Sequence, residues 1–203
     1  MVGATPMVLV VNPVSATSSK ELIALLKSKP GELNFASGGN KTILHLATQL
    51  FLVEAGVTAK HIPYKDVGPR VTDLLGGQVE FVTAALPSVQ SHIKSGALHA
   101  IGVLVAKRSP AAPEMPTFVE QGLPNFIVDA WFAVSGPKGL SSSNVRRAHH
   151  AVVAAFADPA VNDALVKQGN TINISTPEQA QAAFKSELGK YEALVKKAGI
   201  EPQ

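Results

Sequence analysis

The sequence predicts an α/β protein: a largely parallel sheet with helices on both faces, followed by a mostly helical C-terminal segment. Three observations predict it. Strand-like and helix-periodic runs alternate as far as residue 105. Two strand runs, MVLVV and, apart from His99, LHAIGVLV, are apolar throughout, as strands buried on both faces are. Beyond residue 140 the spacing is almost entirely that of amphipathic helices.

The elements follow in order. Met7–Val11 reads as a buried strand ended by Asn12-Pro13. Ser18 and Glu21 have capping-box spacing, and Pro30-Gly31 stops the helix that they open. Leu33–Ala36 is a short strand. Asn40–Ala55 is a helix, with Ile43, Leu44, Ala47, Leu50 and Phe51 at three- and four-residue steps and Gly56 placed as a C′ glycine. Lys60–Tyr64 is a strand, Val67–Leu75 a short helix closed by Gly76-Gly77, Val79–Thr83 a strand and Pro87–Lys94 a helix. Leu98–Val105 is a buried strand. Residues 107–125 hold Pro110, Pro113, Pro116 and Pro124 and read as a connector with one short helix near Thr117–Gln121. Asn125–Val134 is a long strand. Ser143–Ala157 and Ala160–Gln168 are helices split at Asp158-Pro159, and Thr171–Ile174 is a short strand. Pro177–Ala198 is a long final helix with Thr176 as N-cap and Pro177 at the first helical position.

Composition narrows the function. The 203 residues suffice for one large domain or two small lobes, and 46% hydrophobic with 16% charged residues is globular. Net charge is +3, yet no block of five like charges occurs, so nucleic acid is not an indicated partner. A small anionic ligand suits the balance. With no cysteine, disulfides, zinc–thiolate sites and thiol nucleophiles are excluded. The opening MVGATPMVLVVNP has no basic region and contains Pro6, so it reads as a strand rather than a signal peptide.

No motif of hydrolases, nucleotide-binding loops or zinc proteases is present, so no catalytic residue, metal ligand or cofactor is assigned. The six histidines are read as satisfied or solvent-facing; His149 and His150 project about 100° apart on a helix, a poor metal pair.

The informative stretch is Ser37-Gly38-Gly39-Asn40, between a strand and a helix. Two readings fit. In one, Gly39 or Asn40 merely caps a helix after a tight turn. In the other, the unpaired N–H groups of the helix start, together with Ser37 and Thr42, hold an anion at the carboxyl end of a strand. Tyr64-Lys65 and Thr83-Ala84-Ala85 follow two further strands and would line the same rim. Tyr64 reads equally as a packing residue, and Lys65 as a solvated charge.

The ordered runs VLVVNP, KELIALLKSKPGELNFASGGN, HIPYK, TDLLGGQVE, IKSGAL, AKRSP, PTFVEQGLP, AWF, TPEQ and KKAGIEP resemble the Bug/TctC family across essentially the whole chain. Members are extracytoplasmic solute receptors of tripartite tricarboxylate transporters. The resemblance implies a type II periplasmic-binding-protein fold of two α/β lobes, a small carboxylate ligand in the cleft, no catalysis and no cofactor. It also implies a periplasmic location and membrane transporter subunits as partners. Carried over by position, the ligand-facing residues are Ser37, Gly38, Gly39, Asn40, Thr42, Tyr64, Lys65, Thr83 and Ala84. The family often has Asp-Asn where this chain has Ala84-Ala85, which implies a less polar or altered ligand.

Family members begin with a strand and a glycine-rich loop ahead of the region matched by Met1. The expectation is therefore a truncated receptor: a ligand-binding lobe two over residues 8–127 and the C-terminal part of lobe one over 128–203. Its ligand capture would be impaired by loss of the rest. The apolar faces of the late helices, at Val152, Val153, Phe156, Leu165, Phe184, Leu188 and Leu194, then lack a sheet to cover, and self-association as a homodimer is expected. The alternative is a noncatalytic, self-associating scaffold derived from the same fold.

Overall fold

A computed structural model describes residues 1–109, 112–128 and 130–200. Pro110 of the predicted connector, Asp129 of the predicted long strand, and Glu201 and Pro202 of the last quoted run lie outside the described residues.

β1 (Gly3–Thr5) and β2 (Met7–Val11) are separated only by Pro6, where the chain passes from one sheet to another. There follow α1 (Ser19–Ser28), β3 (Asn34–Ser37), α2 (Ile43–Ala55), β4 (Lys60–Pro63), α3 (Val67–Leu75), β5 (Phe81–Ala85), α4 (Leu86–Lys94) and β6 (His99–Val103). Ser18 caps α1 by accepting from the Glu21 N–H at 3.3 Å. The Glu21 carboxylate reaches back to the Thr17 N–H and hydroxyl, both 2.8 Å, one residue short of the reciprocal capping-box contact.

These strands form a five-stranded sheet in the order β4-β3-β5-β2-β6. β3 is parallel to β4 and β5, while β2 is antiparallel to both β5 and β6. Four strands therefore share one direction and β2 opposes them, a correction to the expectation for the first strand. β2 enters straight from β1 rather than through a returning helix, so no crossover rule fixes its direction.

The sheet is buried on both faces, and β2 displays the division. All five of its residues are buried. Met7, Leu9 and Val11 join Leu22 and Leu26 of α1 and Ala47 and Phe51 of α2. Val8 and Val10 join Val71 and Leu74 of α3 and Leu86 and Val89 of α4. The period-two alternation of a strand thus places one helix pair on each face.

The connector contains a turn, not a helix, at Thr117–Gln121: Thr117 Oγ1 accepts from the Glu120 N–H and Glu120 Oε2 accepts from the Thr117 N–H, which closes the chain locally. The predicted long strand Asn125–Val134 also shortens, to β7 (Ala130–Phe132). Phe126 and Val128 are instead buried in the core, with the Phe126 ring 4.7 Å from Phe118 and the Val128 N–H donating to Leu104 O at 2.8 Å.

The remaining elements are α5 (Ser142–Ala157), α6 (Pro159–Lys167), β8 (Thr171–Ile172) and α7 (Pro177–Lys197). β1 pairs antiparallel with β7 and β8 in a three-stranded sheet of order β7-β1-β8. Thr176 and Gln179 form a complete capping box at the start of α7. α5 and α6 bury no residue and α7 buries only Leu194. Phe184 is 51% and Leu188 57% exposed. The end of α7 is fixed to α2 by Lys197 Nζ, 3.1 Å from Glu54 Oε1. Among the described residues, no helix is long and apolar enough to cross a membrane.

Candidate ligand-binding turn

The helix predicted from Asn40 starts three residues later, at Ile43, because Thr42 is the N-cap. Thr42 Oγ1 accepts from the His45 N–H at 3.4 Å and donates to the Gly39 carbonyl at 2.9 Å. Neither Gly39 nor Asn40 caps the helix. They belong to a separate turn in which φ is positive at Gly39 (116°) and at Lys41 (62°) but not at the residues around them. Such alternation is the kind from which anion-binding nests of N–H groups are built. Lys41, with a side chain, pays in backbone strain for its conformation, and strain of this sort concentrates at functional sites.

Below the turn lies a bracing network. Ser37 is fully buried at the end of β3. Its hydroxyl accepts from the Gly39 N–H at 3.1 Å, lies 3.0 Å from the Gly39 carbonyl, and is 2.6 Å from His61 Nε2. The Lys41 N–H donates to His45 Nδ1 at 3.0 Å. The rings of His45 and His61 stack with centroids 4.0 Å apart and planes 9° apart, and Phe35 stacks on His61 at 4.9 Å. Burial, and then the neighbouring His45, push His61 down to about 4, and burial lowers His45 as well. Both histidines are thus neutral near pH 7 and hold the turn's backbone.

This network leaves a definite set of donors over. The N–H groups of Gly39, Lys41, His45 and Leu46 have protein acceptors. Those of Gly38, Asn40, Thr42, Ile43 and Leu44 have none among the described residues. They cluster at the N-terminus of a 13-residue helix, where the macrodipole is positive, and beside the carboxyl end of a parallel strand.

The other expected residues divide. The Tyr64 N–H donates to Ser37 O at 3.0 Å, so Tyr64 adjoins the turn. Its hydroxyl, however, donates to Asp73 Oδ2 at 2.6 Å, and burial together with that carboxylate pushes its pKa up to about 12. Asn40 and Lys65 are exposed. Thr83 and Ala84 are both fully buried in β5; the Thr83 hydroxyl is 2.9 Å from Thr48 Oγ1, and Ala84 packs in the core with Val8 and Val10.

Sequence reasoning passed over Arg70. It is 2% exposed, and it makes no hydrogen bond or ion pair among the described residues. A methyl group added at Gly38 would sit 3.6 Å from its Nη1. Burial lowers the guanidinium's pKa, and no acidic group offsets that. A legible signal existed: Arg70 is four residues before Leu74 and beside Val71, on the apolar face of α3.

A family profile described as TctC, tripartite tricarboxylate transporter family receptor, matches residues 1–200. The chain belongs to this receptor family. Among curated relatives, Protein BugT of Bordetella pertussis is 38% identical over 200 residues, covering 98% of this chain and 61% of BugT. The chain thus spans less than two thirds of that relative. Among solved structures, R. palustris Rpa4515 with adipate superposes with a TM-score of 0.89 at 28% identity, covering 100% of this chain and 68% of that one. The periplasmic binding protein BugD superposes with a TM-score of 0.87 at 30% identity, covering 100% and 69%. The fold is accordingly that of the periplasmic binding proteins of this family, as the resemblance implied.

Proposed function

We propose that this chain carries the ligand-binding part of a periplasmic solute receptor that captures a small carboxylate and presents it to the membrane subunits of a tripartite tricarboxylate transporter. One observation carries the reading: the cluster of unpartnered N–H groups at Gly38, Asn40, Thr42, Ile43 and Leu44, ahead of α2. Backbone donors at a helix start bind a carboxylate without a dedicated charge. The adipate named for Rpa4515 supports that ligand class. Residues 8–127 act as the lobe that holds the ligand and 128–203 as part of the other. Within the first, Ser37 and the two histidines shape the turn rather than touch the ligand. The reading assigns no reaction and no cofactor. Calorimetric titration with adipate and shorter dicarboxylates tests it: saturable binding is expected, and heats indistinguishable from dilution for the whole panel would refute it.

A second reading, a self-associating scaffold, is favoured by the apolar surface of α5–α7, including Val153, Phe184 and Leu188. Homodimerisation through those helices is compatible with receptor function too. Light scattering over a dilution series separates the cases. A scaffold assembles with concentration and ignores carboxylates, whereas a monomer at every concentration defeats self-association.

A further inference from the structure

Within the proposed receptor function, one group is unexplained by a site made only of backbone donors. A buried guanidinium with no counter-charge is costly, because desolvation is not offset by any partner. Arg70 is such a group. It is 2% exposed, its Nε has no hydrogen-bond partner, and no described acidic residue pairs with it. It shares the buried face of α3 with Val71 and Leu74. Its Nη1 instead approaches Gly38, the first residue of the unpartnered N–H cluster. Gly38 has no side chain to stand between the turn and the guanidinium. A Cβ there would meet Arg70 Nη1 at 3.6 Å and Leu44 Cδ1 at 3.5 Å, ordinary contacts that would nonetheless fill the space.

We propose that Arg70 is the ionic partner of the bound oxyanion, so that the site selects a fully charged carboxylate and discriminates against neutral polar ligands of the same shape. The inference rests on the reading of the Gly38–Leu44 turn as the ligand site. The guanidinium presents a planar fork of donors, and the turn presents backbone N–H groups beside it. One two-oxygen anion can accept from both. The arrangement also explains why the charge is tolerated unpaired: the counter-charge is the ligand.

The test is thermal unfolding of the chain and of Arg70→Met, each in anion-poor buffer and with sodium adipate, sodium sulfate or neutral adipamide at matched ionic strength. The expected result is a Tm for Arg70→Met equal to or above that of the parent without anion, and a rise with adipate in the parent only. Loss of the charge-assisted contacts should weaken adipate binding roughly tenfold to a hundredfold. Adipamide should raise neither Tm. Gly38→Ala, whose new methyl makes only ordinary contacts, should keep the parental Tm and lose the adipate response. A markedly lower Tm for Arg70→Met without anion would make Arg70 structural and overturn the proposal. Equal adipate stabilisation of parent and Arg70→Met would overturn it while leaving the carboxylate-receptor reading intact. An Arg70-dependent response to sulfate without any to adipate would keep the anion site and refute the carboxylate reading. No response of the parent to either anion refutes both.

Discussion

Ser37→Ala removes one buried oxygen and should destabilise the protein well beyond the loss of a surface hydroxyl. The hydroxyl is fully buried and serves two partners across the turn. Without it, the Gly39 N–H and His61 Nε2 lose the contacts now at 3.1 Å and 2.6 Å. Each buried polar group left unsatisfied costs about 1–3 kcal/mol. Gly39 and His61 are both only partly buried and recover some solvation, so the combined cost is about 2 kcal/mol. For a chain of this size that lowers Tm by roughly 4–8 °C. Urea unfolding followed by circular dichroism measures it, and a double-mutant cycle with His61→Phe isolates the shared contact. A coupling of about 0.5–1.5 kcal/mol is expected. A Ser37→Ala loss below about 0.5 kcal/mol, the range of ordinary surface substitutions, would refute the bracing role.

Acid should weaken the fold through the same histidines. His61 is held near 4 in the folded chain against an unfolded value near 6.5, so the unfolded state binds more protons below that value. Its contribution is complete above about pH 6.5 and is lost as pH falls through the window toward 4. With allowance for solvent screening the loss is about 1–2 kcal/mol. His61→Phe should flatten the profile, and an unchanged slope between pH 6.5 and 4 would contradict the assignment. Gly39 and Gly38 should respond differently to alanine. Gly39→Ala forces a side chain into φ +116° and should cost at least about 1–2 kcal/mol, whereas Gly38→Ala should leave stability within about 0.5 kcal/mol. Matched urea midpoints for the two variants would show that the turn relaxes freely.

The sequence displayed the fold where local signals agreed with tertiary demands. The helix Val67–Leu75 has the bounds its spacing predicts, and Thr176 and Gly56 cap their helices as their positions predict. It misled where a run of apolar residues had two possible uses. Phe126 and Val128 look like strand residues, but their side chains fill the core beside Phe118 and Leu104. The direction of β2 was hidden because pairing partners far along the chain decide it. At the site, Ser-Gly-Gly-Asn was legible as a helix-start turn, though the capping role passed to Thr42, a residue that also satisfies the Gly39 carbonyl. His45 and His61 were not legible as a pair. Sixteen positions separate them, and only the parallel register that sets Phe35 opposite His61 brings the second ring over the first. Arg70 was overlooked because a lone arginine on a short helix is ordinarily solvated.

In the proposed receptor, the free N–H groups of the turn ahead of α2 receive a carboxylate. An amide-resolved NMR titration of the chain with adipate tests it most directly. The largest shifts are predicted at Gly38, Asn40, Thr42, Ile43 and Leu44, with His61 following through Ser37. Saturable shifts confined instead to the groove of about 180 Å³ lined by Val2, Leu140, Val152 and Ala180, with the turn unmoved, would contradict it.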